Sequence, residues 1–475
     1  MKIIGKMAIA LLVVGFLGFS VTGLEAKTIN VKCEKGESVQ KELNKLDRPA
    51  TLVVTGTCHE YLDITQDDVT IQGGNYEAPT PPDPTKNLIW VRGARRVLMT
   101  GVTVSGGYNA ISAYQGASLT LENSTISGAA NNGVVSVFGS AVTVNSSTIQ
   151  GNLQGATAAD NSAIVVINSH IQNNTGTGVL VIRSSSARIG QNLRGQQMKS
   201  WITGNAGNGV SVSRGSHAII DGNDIIGNSS SGVGVEGSSA TVINNIISGN
   251  GGKGIYVASS GNSRIGINDS DQPAGNTIEN NGYDGIQISN SAAAYMLANT
   301  IRLNGLTTGR HGVGIHRASG RLMGNNIIQG NGWHGVSVNL GQLYQGVGDF
   351  FNLTPGPDQI TGNEHSGIYG WNGAHLDIQH LTVTGNKQHG IALSLQSTLR
   401  LFDATISGNL MNGIVLWDSS SVARYSTDSP RDTITGNTGW GIICYGESHL
   451  VGGTGNSGVS GNSAGQVNCP GVYFP

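Results

Sequence analysis

The stretch Gly330 to Val338, GNGWHGVSV, places a tryptophan and a histidine in one frame, Gly-Asn-x-x-x-Gly-Val-x-Val. Earlier copies of that frame hold Gly207 and Asn208 in the same slots. Counting the Asn as zero, position +3 reads Asn208, Ser231, Lys253, Asp284, His311, His334, Ser366, His389 and Asn412. Position +2 adds Tyr283, Trp333, His365 and Gln388, and position +8 adds His316, Asn339, Trp371, Ser394 and Trp417. Seven of the 11 His lie between residues 311 and 389, and four of the 6 Trp between 333 and 440, so the second half of the chain is distinguished. Histidine serves as acid or base near neutral pH. Exposed aromatic rings cover the apolar face of a sugar while neighbouring polar groups bond its hydroxyls. Two imidazolium ions one coil apart would repel by a few kcal/mol at an effective dielectric near 20, so some of these His are expected to stay neutral. The competing reading is plain stacking, since turn slots accept any polar residue.

A column exists only if the frame repeats in register. The frame Asn falls at 152, 174, 205, 228, 250, 281, 304, 331, 363, 386, 409, 437 and 462, at a base interval of 22 or 23 lengthened by insertions. Such periods mean stacked repeats. Each unit alternates apolar and polar residues, as in Val210, Val212, Ala218, Ile220 and Ile225. Alternation is the strand period, β-branched residues fill it, and Gly, Asn and Ser separate the pieces. No unit has room for a helix. The expected fold is all-β, a single-stranded right-handed parallel β-helix of about sixteen coils and about 75 Å in length. Recurrent Asn in one turn should form a hydrogen-bonded ladder. The charged segment Gly36 to Leu46, with Ser38 as cap and Val39, Leu43 and Leu46 on one face, predicts a short N-terminal capping helix.

Bulk properties narrow the function. Only 12% of the 475 residues are charged and the formal net charge is −2, against about 25% charged in ordinary domains. There is no basic run, which argues against nucleic acid as a partner. Lys2 and Lys6 precede an apolar run from Met7 to Phe19, with Ala26 as a cleavage position. Residues 1–26 therefore read as a signal peptide, 27–60 as an N-terminal cap and 61–475 as the β-helix with a disulfide-closed end. The run is short for a membrane span. Secretion or periplasmic export is expected, with a monomeric chain and no membrane span after processing. The four Cys suggest two bridges, Cys33–Cys58 and Cys444–Cys469. Cys444 and Cys469 each follow a frame Asn by seven residues, so adjacent coils would bring their Cα atoms to about 5 Å. The insertions at 184–205, 259–281 and 419–437 leave and rejoin the frame at equivalent places, which predicts a row of loops on one side.

The Gly-Asn-x-x-x-Gly-[Ile/Val]-x-[Ile/Val] units resemble the right-handed parallel β-helix repeat of the pectate-lyase-like superfamily, also called the carbohydrate-binding and sugar-hydrolysis repeat, over residues 50 to 470. The resemblance implies contact with polysaccharide or a cell-surface glycan. It implies either a lyase, hydrolase or epimerase of acidic glycan or a non-catalytic surface or adhesion module. The Asn-Thr-Asp, Gly-His-Gly and Asp-Pro-His-Asp motifs of polygalacturonases and alginate epimerases are absent, although 386–391 is similar to an epimerase coil. In the catalytic reading His334 or His311 is the base, Arg310 or Arg317 neutralises a uronate carboxylate, and Asp284 orients or protonates. In the binding reading Tyr283, Trp333, His365, Trp371, His389 and Trp417 form the surface. No metal site is assigned. Asn268-Asp269-Ser270-Asp271 is acidic enough for weak calcium binding but reads first as a solvated turn.

Overall fold

The computed structural model describes residues 26–346, 355–424, 432–451 and 458–469. Residues 1–25, on which the expected signal peptide falls, the middle of the 419–437 insertion and the tail at 470–475 lie outside the described residues. The chain winds as a parallel β-solenoid of about eighteen turns rather than sixteen. Three sheets run along it, of 18, 17 and 17 strands, here called A, B and C. One coil passes from a C strand such as Val210–Ser213 to an A strand, His217–Asp221, to a B strand, Asp224–Ile226, and on to the next C strand, Val233–Glu236. Neighbouring coils pair in parallel with residue-for-residue register, for example Val210 with Val233 and Ile225 with Ile247. The two extra turns come from the N-terminal segment. The strand Lys27–Lys32 already pairs with Ala50–Thr55, although neither carries the Asn frame.

The core is a set of stacked β-branched side chains. Most B strands of the repeat region are three residues long and turn the middle residue inward, giving with the four-residue strand Asp358–Thr361 the buried series Ile202, Ile225, Ile247, Ile278, Ile301, Ile328 and Ile360. Burying such a side chain is worth about 1.5–3 kcal/mol, and the extended backbone suits its stiff χ1.

The turn from B to C carries the predicted ladder. Asn331 donates its backbone N–H and its Nδ2–H to Oδ1 of Asn363, both at 3.0 Å, and also donates Nδ2–H to the carbonyl of Ile301 at 3.2 Å. The same bonds recur from Asn152 to Asn462. Gly330 adopts φ 60°, which explains the first glycine of the frame. The second glycine has a different cause. A Cβ on Gly335 would stand 2.4 Å from Ile360 Cγ2, 2.7 Å from the carbonyl of Gly367 and 2.8 Å from Asn363 Nδ2. The ladder and the glycine after it are therefore one packing unit. A second ladder runs through the A-to-B turn, with Ser147, Ser169 and Ser200 giving way to Asn223, Asn245, Asn276, Asn299 and Asn326 and then to Asp358.

The first turn is closed by the helix Val39–Leu43, with Val39 and Leu43 buried. Ser38 Oγ accepts from the N–H of Lys41, and Glu60 accepts from the N–H groups of Val39 and Gln40. These bonds satisfy the free donors of the helix start and place a carboxylate at its positive end. Both disulfides form as the spacing predicts, with Cα separations of 5.1 Å for Cys33–Cys58 and 4.6 Å for Cys444–Cys469.

The insertions at 190–200 and 266–276 share one build. Asn192 and Asn268 each accept two backbone N–H groups of their own loop. Both leave after an A strand and rejoin before a B strand, so they stand at the A–B corner. Asp271 of the second is ion-paired with Arg264.

Replacing Asn331 by Ala removes the acceptor for two buried donors of Asn304, at about 1–3 kcal/mol each. A loss of about 3 kcal/mol or more in urea unfolding is expected. Gly335→Ala should be comparably damaging, whereas Gly139→Ala, which meets no neighbour but sits at positive φ, should cost only about 1 kcal/mol.

Candidate functional site

The +3 residues do form a column at the B–C corner. The carbonyls of His311, His334, Ser366 and His389 accept from the N–H groups of Gly285, Gly312, Gly335 and Gly367 of the preceding coils. The ladder beside them dictates this register. The His311 and His334 rings stack at 5.4 Å with 17° between planes, and His334 stacks on Tyr369 at 4.8 Å. Trp333 lies 5.4 Å from His311 and meets His365 edge-on at 5.5 Å. The +8 register adds Trp371, stacked on Tyr369 at 6.4 Å, and Trp417, stacked on Tyr445 at 6.3 Å and edge-on to His389 at 5.5 Å. Tyr283 and Trp333 are the exposed rings, at 41% and 39%; His365, Trp371, His389 and Trp417 are half-buried.

His334 and His311 are buried at 5% and 7% exposure. His334 Nδ1 accepts from the N–H of Ser366 at 3.2 Å, which leaves only Nε2 for other use. His311 Nδ1 is buried with no partner. Burial pushes His311 down to about 3, helped by His316, Arg310 and His365, and holds His334 well below the ordinary histidine range. His389 is depressed to about 4 by burial. Burial thus disfavours the charged form of each of these rings.

The carboxylate of Asp284 points elsewhere. Its Oδ1 accepts from the N–H of His311 at 2.8 Å. Its Oδ2 reaches the space over Gly314, where a Cβ would lie 3.0 Å from it and 3.3 Å from His316 Nε2. Gly314 occupies an outward position of sheet C, between Gln287 and Ser337 of the flanking coils. Its missing side chain leaves a small hollow that the Asp284 carboxylate and the His316 imidazole fill from either side. Gln287 Oε1 nearby is buried without a partner. Burial raises Asp284 to about 6 despite the His311 N–H, Arg310 and Lys253. Burial, then Arg310 and Lys253, lowers His316.

Two cations flank the hollow. Lys253 Nζ lies 4.4 Å from the Tyr256 ring centroid, and the Arg310 guanidinium 5.4 Å from that of Tyr283. Among the described residues neither has a carboxylate within ion-pairing distance. Arg310 ends the short excursion Gly305–Arg310, which Thr308 ties to the preceding coil by donating to the Gly282 carbonyl at 2.6 Å. The insertions at 190–200 and 266–276 stand at the A–B corner rather than at the B–C corner that carries the column.

Asp284, His311 and Arg310 of the predicted set therefore meet at one place, and His334 stacks one coil beyond. Trp371, His389 and Trp417 lie further along the same face. His316 and Lys253, which the spacing puts in the +8 and +3 columns without giving them a role, complete the hollow with Gly314, which spacing does not single out. The available signal is the strand Val313–His316, where a glycine replaces an outward side chain two residues before a histidine. Among the described residues the one group of His, Cys, Asp or Glu close enough to hold a metal is Cys33, Cys58 and Glu60, whose sulfurs are committed to a disulfide.

With the coil and its corner defined, the family follows. The family model described as right handed beta helix region matches residues 52–196 and 198–344, and the chain belongs to that family. No match is found among curated proteins. Among solved structures the chain is similar to the pectate lyase Pel9A, at 14% identity over 56% of this chain and 78% of that one with a TM-score of 0.38. It is similar to an alginate lyase from Paenibacillus sp. at 16% identity, over 67% and 98%, with a TM-score of 0.32. A periplasmic alginate epimerase mutant shares 11% identity over 84% of each chain, with a TM-score of 0.35. Identities of this size carry nothing about site chemistry.

The depressed His residues 217, 311, 316, 334 and 389 give stability that is present above about 6.5 and lost as the pH falls through their folded values. Asp284 and Asp358, both raised to about 6, act oppositely: their contribution is present below about 4 and lost as the pH rises through 6. Five groups outweigh two, so the melting temperature should fall between pH 6.5 and 4. The fall should steepen in Asp284→Asn, and the imidazole C2–H signals of His311 should not titrate above pH 5.

Proposed function

We propose that this is an exported protein that binds an acidic polysaccharide along the outer face of sheet C, with its uronate carboxylate held between Lys253 and Arg310 at the hollow over Gly314. The observation that carries the reading is the convergence of Asp284 Oδ2 and His316 Nε2 over the Cβ-less position of Gly314, beside two cations that form no ion pair among the described residues and act on Asp284 only from a distance. A cation pair without carboxylate partners suits an anionic ligand. From Tyr256 to Tyr445 the same face spans seven coil steps, about 34 Å, which is room for an extended chain. The ring faces of Tyr283, Trp333, Trp371 and Trp417 supply the apolar contacts that sugar rings use.

The hollow also supports proton transfer. The carbon that bears a uronate carboxylate holds a weakly acidic proton, and neutralising that carboxylate with Lys253 and Arg310 makes the proton easier to remove. The neutral His316 imidazole takes it. Return of a proton to the opposite face gives an epimer; loss of the neighbouring glycosidic oxygen, protonated by Asp284, gives an unsaturated end. His311 and His334 then act as a rigid backing for Asp284 rather than as the base. The binding-only reading is favoured by one observation, the open stack of Trp417 and Tyr445, which is remote from any acid or base pair. Two disulfides accord with an oxidising compartment. No helix among the described residues is long and apolar enough to cross a membrane.

Proton NMR of pectate, alginate and neutral glycans after long incubation with the mature protein tests both readings. New unsaturated or epimeric signals that vanish in His316→Gln and Asp284→Asn would establish catalysis. Retention of pectate or alginate in affinity electrophoresis, lost in Lys253→Ala/Arg310→Ala while the NMR panel stays unchanged, would establish binding alone. Neither signal with any acidic glycan would refute the proposal.

A further inference from the structure

A second feature lies on sheet C towards the other end of the rod, across the coils where the Asn frame begins. A cleft of about 550 Å³ opens over five consecutive coils, from Trp90 to Arg183. That volume falls within the range of about 300–1,000 Å³ usual for small-ligand sites. One wall is aromatic. Trp90 meets Tyr114 edge-on at 5.8 Å, and Tyr114 meets Phe138 edge-on at 4.9 Å. Tyr108, 43% exposed, stands at the rim.

The opposite wall is a chain of neutral hydrogen-bonding groups. Asn109 Nδ2 donates to Asn87 Oδ1 at 2.8 Å, Asn132 Nδ2 donates to Asn109 Oδ1 at 2.7 Å, and Thr157 Oγ1 donates to Asn132 Oδ1 at 2.6 Å. The segment carrying Asn87 is tied down, since Tyr108 donates its N–H to the Lys86 carbonyl and Leu88 donates to the Asn109 carbonyl. The floor follows one outward row of the register, Val135, Thr157 and Leu180, so two apolar side chains flank the Thr157 hydroxyl. The indole N–H of Trp90 is buried with no acceptor. A buried donor in that state costs about 1–3 kcal/mol unless something satisfies it.

Charge separates this cleft from the Gly314 hollow. Arg183, the charged residue among those that line it, is ion-paired with Asp160 at 2.5 Å. No uncompensated cation faces the space. The near edge of the cleft, at Leu180, lies five coil steps from Gly314, about 24 Å along the same face.

We infer that this cleft is a separate glycan site that takes an uncharged pyranose chain. The aromatic wall covers the apolar ring faces, the Asn and Thr groups bond hydroxyls, and a sugar hydroxyl accepts from the Trp90 indole. Two sites of opposite electrostatic character on one face fit a heteropolysaccharide, or a neutral scaffold beside the acidic chain. The neutral site stands whether or not the acidic reading holds.

Isothermal titration of the full mature protein with cellohexaose, xylohexaose, mannohexaose and maltohexaose tests it, with hexagalacturonate and hexamannuronate as charged controls. At least one neutral hexasaccharide should bind. Trp90→Ala should weaken it at least about tenfold, about 1.4 kcal/mol. Trp90→Phe should recover part of the loss, and Lys253→Ala/Arg310→Ala should leave neutral binding unchanged. Should Trp90→Ala fail to fold, Tyr108→Ala at the exposed rim reports instead. The inference is overturned if no neutral hexasaccharide binds. It is equally overturned if neutral binding persists unaltered in folded Trp90→Ala and Tyr108→Ala. The uronate controls report on the hollow alone, so each site succeeds or fails on its own measurement.

Discussion

The Asn ladder is the constraint on which the other features rest. A turn repeated every coil buries the same polar backbone groups each time, and no water reaches them. An asparagine at that point is donor and acceptor together, so it satisfies its own coil and the next one. Its amide packs against the frame glycine of the preceding coil, as Asn363 does on Gly335, and only glycine leaves room for it. Once this pair is fixed, the position just before the glycine must stack directly over its counterparts. The column of Asp284, His311, His334 and His389 is thus a by-product of backbone satisfaction, available for chemistry without further cost in register.

Burial then decides what each member of the column does. Within the stack the imidazoles lose their solvent and stay neutral, which makes them packing groups with a polar edge. Asp284, equally buried, keeps one oxygen on a backbone N–H and turns the other into a gap left by Gly314. The difference between a stacked residue and one that meets a second polar group lies in whether the neighbouring outward position carries a side chain of its own. Ser337 and Gln287 do so one coil either side; at Gly314 the Asp284 carboxylate and the His316 imidazole take that space instead.

Periodicity explains how much was legible. The fold class, the ladder, the disulfide columns and the alignment of His311 with His334 all depend on spacing, which a sequence displays directly. The coil count fell short because the turns between residues 27 and 105 use Ser, Gly and irregular loops in place of the Asn frame. The hollow was half legible. Asp284 and Arg310 were named from their slots, but the partnership of Asp284 with His316 depends on a missing Cβ and on the direction of two side chains. The N-terminal cleft was invisible for a related reason. Trp90, Tyr114 and Asn132 sit in degenerate coils whose spacing to one another has no single period, so only the folded chain brings them together.

The ladders have a direction. Each amide donates toward the C-terminal coil, so their dipoles add along the rod as peptide dipoles add along a helix. The tip of each series is then a bare donor, with partial positive charge and a place for one more acceptor. Asp358, which cannot donate, accepts the last amide of the A–B series from Asn326. Gln345 donates to its other oxygen. Gln466 accepts the last amide of the B–C series from Asn462 and belongs to the same coil. The A–B series thus ends inside the rod, with four B strands beyond it, and the B–C series ends at the last described coil on a side chain that offers oxygen. An end finished this way presents no open amide to a second molecule, and a stack whose geometry would otherwise permit unlimited head-to-tail growth has a finite length written into its chemistry.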